Sequence, residues 1–138
     1  MGSGEETSDD ISLEHALFLA QSWGWSRRKL AARALARYAE DDRAFEALDK
    51  MLDDADIAVI EESVASLTVG AGKRGLREVL RRLALSEDNA GYHIRDKLAS
   101  LWFDGVPVLD LCREIASAES EKSVSEGAME MIQFMTRR

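Results

Sequence analysis

Two ladders of apolar residues constrain this chain more than any other feature. Leu17, Leu48, Val79 and Leu111 fall at intervals of 31, 31 and 32 residues, and Leu30, Ile60, Ile94 and Val124 at 30, 34 and 30. An interval near thirty is the length of one supersecondary unit. A unit that cannot bury both its faces alone must stack on its neighbours. Between the rungs the spacing is three and four residues, the period of a helix seen from its buried side.

Eight helices follow from that spacing. Leu13, Ala16, Leu17 and Ala20 come after a Ser12 cap, and Gly24 closes the first helix. Ser26 is expected to cap the second, with Leu30, Ala34, Leu35 and Tyr38 on its stripe, and the acids 40–42 to start the third, with Ala44, Phe45, Leu48, Met51 and Leu52. Asp56 opens the fourth (Val59, Ile60, Val64, Leu67), and the Gly70–Gly72 triplet separates it from the fifth (Leu76, Val79, Leu80, Leu83). The sixth carries Ile94, Leu98, Leu101 and Trp102. Pro107, the single proline, sits in the first turn of the seventh (Val108, Leu111, Cys112, Ile115). Val124, Ala128, Met131, Ile132 and Met135 mark the eighth. No segment alternates at period two long enough to compete as a strand. The expectation is all-α.

The first ten residues, MGSGEETSDD, offer no core candidate beyond the initiator methionine, so residues 1–11 are read as a disordered acidic leader and 12–138 as one helical domain. There is no signal-peptide core and no apolar run of about 18 residues, from which a cytoplasmic protein without a membrane partner is expected. The sole cysteine, Cys112, excludes a disulfide within the chain.

The best internal match lays Val59–Leu67 (VIEESVASL) over His93–Leu101 (HIRDKLASL). Here the chain resembles the HEAT-repeat family and its armadillo-like and PBS-lyase-like relatives, whose second helix begins with an acid, then Val/Ile-Arg, then Ala-x-x-Leu. Asp88, Ile94-Arg95 and Leu98–Leu101 look like that pattern; Asp56 and Ile60 match too, with Glu61 where arginine is usual. The resemblance implies a short right-handed α-solenoid of about four helical hairpins, its even helices lining a concave side.

Charge is segregated along this array. The formal net charge is -8, which opposes general affinity for nucleic acid and suits a basic protein partner. Residues 26–37 hold Arg27, Arg28, Lys29, Arg33 and Arg37 and no acid, whereas residues 40–62 hold ten acids against Arg43 and Lys50. Lys73, Arg74, Arg77, Arg81 and Arg82 follow, against Glu78. Such stripes either neutralise one another between units or leave an acidic binding face at Asp49, Asp53, Asp56, Glu61 and Glu62. Trp23 and Trp25 flank Gly24 at the join of the first pair. There they are expected to cover the open end of the core, with an exposed aromatic anchor as the other reading.

Catalytic constellations are sparse. His15 and His93 lie in different units, and Cys112 lies on an apolar stripe; the GAGKRG run lacks the spacing and the preceding strand of a phosphate loop. No cofactor, metal or enzymatic activity is therefore expected. The leading expectation is a protein-binding module, in its sharper form a bacterial immunity protein occluding a basic toxin. The alternatives are a nucleic-acid backbone binder using Arg27, Arg28, Arg33, Arg37, Arg74, Arg77 and Arg81, and, by family analogy alone, a lyase or chromophore-handling protein.

Overall fold

The computed structural model describes residues 7–86 and 89–137. Among them are eight α-helices and no strand: α1 Leu13–Leu19, α2 Trp25–Leu35, α3 Asp42–Met51, α4 Ile57–Gly70, α5 Gly72–Leu85, α6 Asn89–Phe103, α7 Val108–Ala118 and α8 Lys122–Thr136. The chain is all-α. No helix among the described residues is long and apolar enough to cross a membrane.

The starts follow local chemistry. The Ser12, Asp41 and Asp56 side chains accept from the N–H groups of His15, Arg43 and Ala58, donors that a first turn leaves without an intrahelical acceptor. The second helix corrects the expected cap. Ser26 lies inside α2, and the N-cap is Gly24, which has no side chain to offer. Asp88, expected to open the sixth helix, lies outside the described residues.

Every stripe residue of α3, α4 and α5 named from the sequence is buried, while Leu17, Leu30, Tyr38, Leu111 and Ile132 are half-buried against the same core. The leader boundary moves. Ser8–Asp10 forms a 3-10 turn, and Ile11 is buried with its carbonyl accepting the Tyr38 hydroxyl at 2.9 Å. Ile11 immediately precedes the Ser12 cap, where an apolar residue packs back on the helix it introduces. Residues 1–6 lie outside the described residues.

Helix α4 is the hub, touching α2, α3, α5 and α6. Its inner face is partly polar, which apolar periodicity could not show. Ser63 donates to the Leu48 carbonyl at 2.5 Å and Ser66 to the Ala32 carbonyl at 2.8 Å. Both carbonyls lie in the last turns of α3 and α2. There the Leu52 N–H turns to Asp49 and the Ala36 N–H to Arg33 and Ala34, so no donor four residues on serves them. Ser66→Ala should therefore cost about 1–3 kcal/mol in urea unfolding, the penalty for stranding a buried acceptor. Thr68 is the control: its buried hydroxyl has no partner among the described residues, so Thr68→Val should be neutral or stabilising by up to about 1 kcal/mol.

Each helix touches its partner in the pairs α1–α2, α3–α4, α5–α6 and α7–α8, and α2, α4 and α6 succeed one another side by side. The last pair departs from strict order. Helix α8 lies chiefly against α5 and α7 rather than on α6. Gly127 permits this: a Cβ there would collide with the Leu80 carbonyl of α5, so the two backbones come close only without a side chain. Gly75 plays the same part where α5 crosses Leu67 of α4.

Candidate functional site

The acidic stripe is largely engaged within the fold. Asp49 and Asp53 both pair with Arg82 of α5, Asp49 at 3.4 Å. Glu62 accepts two hydrogen bonds from Arg33 of α2, at 3.1 and 3.3 Å. Asp56 caps α4, and Glu61 lies 3.8 Å from His93 of α6. Of the five carboxylates expected on an open face, only Asp53 is more than half exposed. The reason lies in helix neighbours: Arg33–Glu62 and Arg82–Asp53 are each 29 residues apart, close to the interval of the apolar ladders. Basic and acidic stripes of neighbouring helices are thus laid face to face.

The same pairing consumes the basic stripes. Arg28 is bidentate to Asp54 at 2.9 and 3.0 Å, and Arg74 lies 3.2 Å from Asp42. Arg77 meets Glu119 at 2.6 Å, and Arg81 meets Glu121 at 2.5 and 2.8 Å as well as Glu78. Five of the seven arginines that a phosphate-backbone grip would use are therefore bonded to carboxylates. Arg37 instead donates to the carbonyls of Ser8 and Asp9.

Arg77 and Arg81 clasp the turn between α7 and α8. Hydrogen bonding to Arg81 holds the Glu121 carboxyl down to about 2, and hydrogen bonding to Arg77 lowers that of Glu119. Both groups bind protons less readily in the folded chain than in the unfolded one. Their contribution is therefore complete above the ordinary glutamate range and lost as pH falls through it towards about 2. Asp49 runs the other way. Burial and the neighbouring Glu78 raise it, so its contribution is present at low pH and fades as pH rises through the raised value. Thermal melts between pH 5 and pH 2 should show a loss of stability that is smaller in an Arg77→Gln, Arg81→Gln variant.

The two tryptophans do not cover the core. Trp23 is fully exposed and Trp25 is 50% exposed; Ile11, at the other end of the pair beside Tyr38, is buried instead. The expected end cover is overturned because Gly24 is extended and α2 begins at Trp25 on its solvent side. The turn is nonetheless held: Arg28, anchored on Asp54, donates to the carbonyls of Ser22 and Trp23 at 2.9 and 2.6 Å. Nearby, Phe18 is 74% exposed on α1. A cleft of about 400 Å³ runs between α1 and α3, lined by Leu17, Ala20, Ala47 and Met51 and rimmed by Arg43, Glu46 and Lys50. Phe18 was missed because it falls outside the apolar stripe of α1. Its sequence signal is that misfit, a large aromatic on a face the period assigns to solvent.

Burial pushes the Cys112 thiol up to about 12, which leaves almost no thiolate at neutral pH. Among the described residues, no group of three or more His, Cys, Asp or Glu side chains is placed to hold a metal ion. No protein-family model, no curated protein and no solved structure matches the chain.

Proposed function

We propose that this protein is a non-catalytic protein-binding module, a short HEAT-like solenoid of four helix pairs that engages its partner with the exposed end of the first pair. The observation that carries this reading is the fully exposed Trp23, held on a braced turn whose Gln21 and Ser22 share a pocket with Phe18 and whose Gln21 also borders the cleft between α1 and α3. Large aromatics exposed on a rigid support lose little conformational freedom on contact and bury much apolar area, which is the chemistry of a binding hot spot. Free in water they stabilise nothing in the chain itself.

The acidic-stripe form of the reading, an immunity protein meeting a basic toxin through Asp49, Asp53, Asp56, Glu61 and Glu62, keeps the net charge of -8 as its support. Its contact residues are mostly occupied by Arg33, Arg82 and the α4 cap. The exposed aromatic end is the better contact surface.

Capture of partners from host lysate, with quantitative mass spectrometry, tests this. A Phe18→Ser, Trp23→Ser variant should lose its specific partner by at least about tenfold, while its melting stays within about 0.5 kcal/mol of the parent, as for other surface changes. A partner captured equally by both proteins would place the contact elsewhere.

A further inference from the structure

The chemistry of the partner segment is legible at the same end of the molecule, given the reading above that this end is the contact surface. From Gln21 to Ala39 the chain has no acidic residue and five bases. Arg28 and Arg33 are satisfied by Asp54 and Glu62. Arg37 is turned to two backbone carbonyls and has no carboxylate partner among the described residues. Arg27 and Lys29 have no carboxylate partner among the described residues. Lys29 stands one helical turn after Trp25, so ring and ammonium share a face of α2, and Arg27 lies in the first turn after Trp23. The surface here is aromatic and positive, in a protein whose net charge is -8.

We propose that the end of the first helix pair seats an acidic protein segment that crosses the first turn of α2, with an apolar residue against Trp23 and Phe18 and carboxylates on Arg27 to one side of the helix and Lys29 to the other. Charge complementarity selects this occupant. A basic segment would bring like charges against Arg27 and Lys29, and juxtaposed like charges at an interface are strongly unfavourable. A nucleic acid or an anionic membrane presents many charges at once and is repelled at long range by the negative net charge. Five of the six further arginines that would hold such a polyanion are already bonded to carboxylates. An acidic segment of a few residues needs only Arg27, Lys29 and the two aromatic rings.

The test is selection of a displayed library of random short peptides on the whole protein, followed by titration of the enriched sequences. Enriched peptides should combine Asp or Glu with a large apolar residue. Their affinity should fall by about thirtyfold on Trp23→Ser and by about tenfold on the double reversal Arg27→Glu, Lys29→Glu, with helicity unchanged by circular dichroism. Failure to enrich any peptide would overturn the proposal, as would selected peptides that bind the reversed protein undiminished. So would tighter binding of a single-stranded oligonucleotide or of phosphatidylserine vesicles at the same salt. Enriched peptides that are basic yet still lose affinity on Trp23→Ser would overturn this proposal alone and leave the protein-binding reading standing. Peptides indifferent to both changes would sink both.

Discussion

Replacing Gly127 or Gly75 by valine should destabilise the protein by about 3 kcal/mol or more, at or above the top of the usual range for overpacking. A Cβ at Gly127 would meet the Leu80 carbonyl group of α5, and one at Gly75 the Leu67 carbonyl group of α4. The obstructing atoms are helix backbone, which cannot rotate aside as a side-chain tip can. Relief therefore requires pushing two whole helices apart, together with the Leu80, Leu83, Val124 and Met131 side chains buried around them. A loss of this size is a large share of the roughly 5–15 kcal/mol that holds a domain of ordinary stability folded. Gly24→Ser gives the contrast. Nothing lies within 4 Å of a Cβ there, and the residue is the N-cap of α2, so serine should be neutral or stabilising by a few tenths, about 0.3 kcal/mol. Chemical denaturation of the three variants separates the outcomes. Valine at Gly127 tolerated within about 0.5 kcal/mol would show that α8 does not approach α5 closely.

Leu48→Ala, Leu80→Ala and Leu98→Ala should each cost about 2–5 kcal/mol. The three leucines belong to α3, α5 and α6, and each is wholly buried. Truncation removes apolar area from the core and leaves a cavity that neighbouring helices fill only in part. The spread within that range should follow how freely the surroundings collapse. Leu80 lies under the tight crossing of α5 with α8, where the backbones already touch and little relaxation remains. Its loss should fall in the upper half of the range. Losses of under about 0.5 kcal/mol at all three positions, the level of surface changes, would mean that the buried stripes are misassigned.

How much was legible from residues alone is clearest at particular sites. The apolar period named Leu48, Val64, Leu80, Leu98 and Met131 as core, and all are buried. Asp41 and Asp56 stand where a first turn needs an acceptor, and both fill it. Ser66, by contrast, looks like a solvent residue in sequence. It is buried because the Ala32 carbonyl of another helix needs its hydroxyl. Trp23 looks like core and is fully exposed.

Residues near one another along the chain settle that it is helical, where its helices begin and end to within a few residues, and which face of each is apolar. Those properties depend on residues three or four apart along one segment, and the chain records them directly. Which helices lie side by side is set by packing in three dimensions. That choice turned α8 onto α5, set Arg82 between Asp49 and Asp53, closed Arg33 on Glu62 and left Arg27 and Lys29 without a carboxylate among the described residues. A charge or an aromatic ring in a sequence has no fixed role until its neighbour from another helix is known. Ion pairs and contacts act over a few ångströms of space, and the pairs that join different helices here lie 26 to 42 positions apart in the chain.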